Sequence, residues 1–305
     1  MKKVVMTTVT ISLGLILTLS AFTFGSVKVP RNDSALKITK RTPSSSAQKY
    51  GKINGTFLPT PSNVFFVLAI GNDYRPGVEG ARADAIHLIG INPTDKKVTV
   101  INFPRDTTVA IPGHGNNKIN AANAYGGSAL TAQTLEQLTG VSISYILEAN
   151  FAAFTGLVDD LGGIDVTVEK SMHDSNSGSN FEPGVVHMNG AQALSFSRDR
   201  HTFAIGDLQR SENQGAVLIA ALAEMKKSKT TVASRFTSAA FMAKHLNLTN
   251  LSLRDLYFLM EQAEKIDPAN ITNVVVPWSK SNTLAPKAND LFADFKDNAS
   301  LDTYK

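Results

Sequence analysis

Three short stretches hold the residues best suited to handling an anion. GNDYRPGVEGARAD (71–84) carries Asp73 and Arg75 at one end and Arg82 and Asp84 at the other. FPRDT (103–107) carries Arg105 and Asp106, and SFSRDRHTFAIGDLQR (195–210) carries Arg198, Asp199, Arg200, His201, Asp207 and Arg210. Such density stands out in a chain that is only 18% charged. Converging guanidiniums recognise anionic oxygens, because each planar fork donates paired hydrogen bonds and keeps its charge at any ordinary pH. Several of them at strand ends point to a polyanion, and pyrophosphate is the natural candidate. Asp73 and Asp84, on the two sides of one loop, could be the one or two carboxylates with which a protein holds Mg²⁺ against substrate phosphates. The competing reading is mutual neutralisation, Arg198 with Asp199 and Arg82 with Asp84, as ordinary surface salt bridges. His201 reads as a neighbour of this chemistry rather than its base, and His87, inside AIHLIGI, as a satisfied strand histidine.

These residues need a frame. NVFFVLAI (63–70) is a continuous apolar run ended by Gly71, as expected of a strand buried on both faces. AIHLIGIN (85–92) and KVTVINF (97–103), joined by PTDK, read as a hairpin. NAANAYGGSALTAQTLEQLTG has helical spacing with Gly140 as its stop. ISYILEANF and IDVTV read as strands around a short helix, AAFTGLVDDLGG, and ITNVVVPW as a final strand. Residues 173–184 read as a polar loop, NGAQALSFSR and DLQRSENQGAVLIAALAEMKK as helices, and 231–266 as a further helical pair. Strands alternating with helices argue an α/β domain. It is placed at 61–280, after a linker at 28–60 and before a tail at 281–305.

Composition excludes several function classes. The chain of 305 residues is 43% hydrophobic, enough for a substantial core. It has no cysteine, which removes disulfide frameworks, thiolate metal sites and cysteine nucleophiles. Its six histidines show no zinc-type spacing. A net charge of +4 is too weak to argue for nucleic acid, and no helix-turn-helix pattern is present, so no nucleic-acid partner is expected. Lys2 and Lys3 precede an uncharged run from Val4 to Val27, about 36 Å long if helical, which is long enough to cross a bilayer. It reads as an uncleaved signal anchor following a short tail at 1–3, the alternative being a cleaved signal peptide, since Ala21, Gly25 and Ser26 sit near its end. Lys28, Arg31, Lys37, Lys40 and Arg41 follow the run, and the positive-inside rule would place the rest of the chain in the cytoplasm.

In this order, GNDYRPG, RADAIHLIGINP, VINFPRDT, KINAANAYGG, LVDDLGGIDV, NGAQALSFSRDR and GDLQRSENQ resemble the motifs of the LytR–CpsA–Psr family of cell-envelope phosphotransferases. The resemblance implies a three-layer α-β-α sandwich whose central mixed sheet and helices enclose an apolar groove for a polyprenyl chain. It implies one N-terminal transmembrane helix with the catalytic domain outside the cell, against the charge count. It implies that Asp73 and Asp84 bind Mg²⁺. Arg82, Arg105, Arg198, Arg200 and Arg210 would gather on the pyrophosphate, with Asp207 and Gln214 beside them. The implied activity is transfer of a glycopolymer phosphate from a polyprenyl pyrophosphate carrier to peptidoglycan. Arg105, Arg200, Asp84 and Asp207 are the expected catalytic groups, and Asp84 or Asp207 would take the acceptor's proton. Two departures stand out: Asn213 where the family often has a second arginine, and Ala85 where a hydroxyl commonly follows the metal aspartate. A membrane-bound transcriptional attenuator, a lipid-binding module and a pyrophosphatase are the competing functions.

Overall fold

The computed structural model describes residues 36–41, 52–53, 56–57, 64–73, 82–204, 206–227, 246–249, 253–279, 282–298 and 301. The proposed anchor at 4–27, Arg75 and the first half of the expected helical pair lie outside them. Among the described residues no helix is long and apolar enough to cross a membrane.

In chain order the strands are β1 (Leu36–Lys40), β2 (Lys52–Ile53), β3 (Thr56–Phe57), β4 (Phe65–Asn72), β5 (Ala83–Asn92), β6 (Lys97–Asn102), β7 (Thr108–Ile111), β8 (Gly115–Lys118), β9 (Ile143–Asn150), β10 (Ile164–Val168), β11 (Met172–Asp174), β12 (Ser179–Phe181), β13 (Gly184–Met188), β14 (Leu246–Thr249) and β15 (Ile271–Val275). The helices are α1 (Ile119–Thr139), α2 (Phe151–Asp160), α3 (Gly190–Arg198), α4 (Asp207–Lys227), α5 (Leu253–Lys265) and α6 (Lys287–Asn298). Seven strands form one mixed sheet in the order β14-β1-β9-β4-β5-β6-β15. β4 lies at its centre, parallel to β9 and antiparallel to β5, which is why its sequence is apolar almost throughout. The β5–β6 hairpin closes through an Asx turn, with Asn92 Oδ1 accepting the Asp95 N–H at 3.1 Å and Lys96 at φ 54°.

Alternation along the strands assigns helices to both faces. Phe66, Leu68, Ile70, Ile86 and Leu88 face one way, into a core shared with Leu135 of α1 and Leu291, Phe292 and Phe295 of α6. Ile89, Ile91, Val98 and Val100 face the other way, toward Leu222 of α4 and Ile266. A third cluster joins α2, α3, α4 and the β10–β13 ribbon through Val158, Phe196, Val217, Ile164 and Met188. α3 starts on a capping box between Asn189 and Gln192. It sits so close to α2 that a Cβ on Gly190 would collide with the Thr155 carbonyl, and Asp159 Oδ1 accepts the Gly190 N–H at 2.7 Å.

The sequence-based boundaries need correction. Residues 36–40, expected in a linker, form β1 inside the central sheet, and the adjacent Arg41 pairs with buried Glu136 at 2.8 Å. Residues 287–298, expected in a tail, form α6, because Leu291, Phe292 and Phe295 recur on one helical face and bury completely or nearly so. The expected helical pair at 231–266 contains strand β14 ahead of α5. The polar loop at 173–184 holds the β11–β12 hairpin.

Candidate active site

One end of the sheet carries the chemistry: the C-terminal ends of β4, β6 and β9 and the start of β5 all lie there. The key local device is a β-bulge. Gly71 pairs with Ala85 but Asn72 pairs with Ala83, so Asp84 is the extra residue. Regular alternation would send Ala83 and Ala85 to the same side, with Asp84 opposite. Instead Ala83 is buried in the α1–α6 core, while Asp84 and Ala85 both line a cavity on the other side of the sheet. The bulge is what aims the carboxylate.

That cavity has a volume of about 320 Å³. Its floor is the sheet, where Ala69, Gly71, Ala85 and Ala149 are small enough to leave space, and its walls include Leu147, Phe154, Leu157, Leu194, Val217 and Leu218. Gly71 is needed here, since a Cβ on it would stand 3.0 Å from that of Ala85. The floor also holds His87, whose Nδ1 meets Asn102 Oδ1 at 2.6 Å. Asn102 donates its amide to Asn273 and to the Val274 carbonyl, so its oxygen accepts and His87 Nδ1 carries the proton. Burial, only partly offset by that hydrogen bond, lowers the His87 pKa to about 4.

Charged groups close the mouth. Arg105 follows β6 in a turn tied to α1, its carbonyl accepting the Asn120 N–H at 3.2 Å, and its Nη1 meets Asp84 Oδ1 at 2.5 Å. Arg210, in the first turn of α4, is 6% exposed and lies against Asp207. Burial lowers its pKa despite Asp207, and the charges of Arg105 and Arg200 add to that lowering. The guanidiniums therefore converge closely enough to repel. Burial also opposes the charge on Arg105, yet Asp84, Asp207 and Asp106 together raise its pKa. Gln214 braces the site, its amide donating to the Ser197 carbonyl at 3.2 Å and reaching the Asp84 carbonyl at 3.5 Å.

The third stretch is organised by Asp199, which is fully buried and accepts from Ser179 Oγ at 2.5 Å, the Thr202 N–H at 3.1 Å and Thr202 Oγ1 at 2.8 Å. With Asp199 extended and pointing inward, Arg198 and Arg200 project to the opposite side, and both line the cavity. Arg198 stacks over Phe151, 5.1 Å from the ring centroid. Neither sequence-adjacent pairing survives: Asp199 bonds hydroxyls, and Asp84 pairs with Arg105 rather than Arg82.

Several polar atoms at this mouth are buried without a hydrogen-bond partner: Arg105 Nε, Arg210 Nε and Nη2, and both oxygens of Asp207. The Asp207–Arg210 contact is thus a charge contact without hydrogen-bond geometry. An unpaired buried donor costs about 1–3 kcal/mol, a penalty that anionic oxygens seated between the two guanidiniums would remove. Among the described residues no group of three or more His, Asp or Glu side chains could hold a metal. Asp73 and Asp84 sit at adjoining strand ends, and one Asp84 oxygen is already engaged by Arg105. Two carboxylates completed by phosphate oxygens and water suit Mg²⁺, so the donor set fits that ion.

Of the residues singled out from sequence, Asp84, Arg105, Arg198, Arg200, Arg210 and Gln214 line the one cavity. Asp207 stands against Arg210, whereas half-buried Asp73 and exposed Arg82 flank the mouth without lining it. Sequence reading missed Phe151 beneath Arg198 and the Asp174–Ser177 turn of the β11–β12 hairpin, which lines the cavity through Asp174, Asn176 and Ser177. It also set aside His201, whose Nδ1 meets Asp174 Oδ2 at 3.0 Å. Asn213 faces a second cavity of about 390 Å³ on the other side of α4, away from the arginines.

A 201-residue stretch, 63% of this chain, is 34% identical to the polyisoprenyl-teichoic acid–peptidoglycan teichoic acid transferase TagT of Bacillus subtilis (strain 168) and spans 61% of that protein. A 212-residue stretch is 32% identical to TagU of Bacillus cereus, a transferase of the same name, and covers 69% of this chain and 68% of that one. The fold superposes on the LytR-CPS2A-psr family protein YwtF (TagT) with bound octaprenyl pyrophosphate lipid, with a TM-score of 0.60 and 26% identity over 81% of this chain and 94% of that one. The LytR_cpsA_psr family model matches residues 26–300, and the chain belongs to that family.

Proposed function

We propose that this protein is a phosphotransferase that moves a glycopolymer phosphate from a polyprenyl pyrophosphate carrier to a peptidoglycan hydroxyl. The observation that carries this reading is the cavity itself: apolar walls ending at a mouth where Arg105, Arg200 and Arg210 converge, with guanidinium nitrogens buried and unpaired. An isoprenoid chain fits the walls and a pyrophosphate fits the mouth. The relatives' names and the lipid bound to the superposed structure support the same substrate class.

The chain's residues act by position and charge. Arg105 and Arg210 grip the oxygens around the bond to be broken, and their spread forks favour the charge that builds as the polyprenyl phosphate leaves. Arg198 and Arg200 hold the phosphate nearer the solvent, and Arg82 extends the positive rim. Asp207 and Gln214 fix the first turns of α4 so that Arg210 points inward. Asp73 and Asp84 would hold Mg²⁺, which supplies further neutralisation of phosphate oxygens when bound. The segment at 4–27 anchors the protein in the cell membrane, with the catalytic domain outside.

The test is incubation of the full chain with a polyprenyl pyrophosphate-linked glycan, Mg²⁺ and peptidoglycan fragments. Expected products are glycan joined to peptidoglycan through a phosphodiester, and one polyprenyl phosphate per transfer. Release of polyprenyl phosphate without joined product would assign hydrolysis instead. Absence of both would remove the reading.

A further inference from the structure

The proposed transfer needs a group that takes the acceptor's proton, and the mouth of the cavity contains a dyad built for that. Asp174 ends β11 and is 4% exposed, with Oδ1 accepting the Asn176 N–H at 2.9 Å and Oδ2 facing His201 Nδ1 at 3.0 Å. Burial works against the charge on Asp174, but the bonds from His201, the Asn176 N–H and Ser177 outweigh it and hold the pKa at about 2. An ionised carboxylate can only accept, so His201 Nδ1 carries the proton and the lone pair of the neutral ring lies on Nε2. The His201 side chain is half exposed and lines the same cavity as Arg105, Arg200 and Arg210. It therefore stands where an acceptor arriving from solvent would meet the phosphates.

The other titratable groups at this cavity are poorer choices. Asp84 and Asp207 are each already paired with a guanidinium, Arg105 and Arg210 respectively, and either would have to give up that pairing to take a proton. His87 lies on the cavity floor and donates Nδ1–H to Asn102 beneath it. The arginines, Arg105, Arg198, Arg200 and Arg210, cannot accept a proton.

We propose that His201 is the general base of the transfer and that Asp174 is the residue that positions it. Nε2 takes the hydroxyl proton of the acceptor as its oxygen forms a bond to the phosphorus bearing the glycan. The bond from that phosphorus to the bridging oxygen breaks, and its electron pair leaves with the polyprenyl phosphate. The proton then passes from His201 to the departing phosphate or to water. This assignment rests on the transferase reading above.

The experiment compares wild type, His201→Ala, His201→Gln and Asp174→Asn as full chains, measuring kcat, KM for the lipid-linked donor and the rate from acid to neutral pH. In both His201 variants kcat falls by about 10²- to 10⁴-fold, KM for the donor stays within twofold, and the decline of the wild-type rate on acidification is absent. Added imidazole restores part of the His201→Ala rate, and Asp174→Asn lowers kcat by about tenfold or more at unchanged KM. A His201→Ala rate within threefold of wild type, or a loss residing in KM alone, overturns the proposal while leaving the transferase reading intact. A wild type without transfer activity overturns both.

Discussion

The two faces of strands β4, β5 and β9 are made by the same few residues of chain, yet they do opposite work. One face presents Phe66, Leu68, Ile70, Ile86, Leu88, Ile143 and Ile146, which bury almost completely against α1 and α6. The other presents Ala69, Gly71, Ala85, Leu147 and Ala149 to an open cavity that His87, Asp84 and Asn150 also line. Alternation lets one strand supply core and site at once, with stability concentrated on one side and room for a ligand on the other. The bulge at Asp84 marks where the two roles meet, since it moves a carboxylate from the side that could not tolerate it to the side that uses it.

The sharpest way to break this division is at the cavity mouth. Arg210→Ala removes a buried guanidinium on which the field of Arg105, Arg200, Asp207 and Asp84 converges. Transfer should fall by about 10³-fold, near the upper range for losing one fixed donor to a developing charge. Arg210→Lys should recover only a small part, because charge returns without the fork. A steady-state rate within tenfold of wild type would mean that the phosphates do not sit there.

Next comes a paired test of the two faces. Phe295→Ala should cost about 3–5 kcal/mol of stability, because the ring is fully buried in the α1–α6 core. Ala149→Leu, on the cavity floor, should change stability by less than about 1 kcal/mol, since it fills open space, and should nevertheless abolish capture of a polyprenyl phosphate. Denaturant midpoints and lipid binding measured on both variants decide it; a large stability loss in Ala149→Leu would show that the cavity is part of the packed core.

His87 offers a smaller effect and a defined sign. Its folded pKa is near 4, against about 6.5 in an unfolded chain. Between those values the unfolded state takes up the proton first, so stability is lost as pH falls from about 6.5 to about 4 and levels off below. The loss should be about 3 kcal/mol, at 1.4 kcal/mol per tenfold change in proton affinity. His187, whose pKa Asp165 raises, works in the opposite direction, so the slope is read as the difference between wild type and His87→Asn. Identical slopes would mean that His87 is not held neutral beneath the cavity.

Much of the frame was legible because its signals are local. The apolar run of β4 and the β5–β6 hairpin around PTDK follow from residue pattern alone; Arg105, Arg198, Arg200 and Arg210 do line one cavity, although only Arg105 follows a strand and the others come from the end of α3 and the start of α4. What escaped is whatever depends on distant partners. β1 and β14 are short, and only pairing across the sheet, β14 with β1 and β1 with β9, makes them strands. The bulge is silent in Arg-Ala-Asp-Ala, since it is defined by register against Gly71 and Asn72. Arg198 and Asp199 looked like a pair because they are neighbours in sequence, although an extended backbone sends neighbours to opposite sides. The Asp174–His201 contact joins a hairpin hidden in a Gly- and Ser-rich stretch to a turn 27 residues later.

The smallest predicted effect concerns the residue that most visibly departs from the family pattern. Asn213 is buried but lies on the face of α4 shared with Gln209, Ala216 and Ala220, whereas Arg210, Gln214 and Val217 make the cavity face. Its oxygen accepts from Gln209 at 3.2 Å and its amide nitrogen has no partner. Asn213→Ala should therefore cost no more than about 1 kcal/mol, the net worth of one hydrogen bond, and leave the transfer rate within twofold. A tenfold loss of transfer at unchanged stability would mean that the two faces of α4 are coupled.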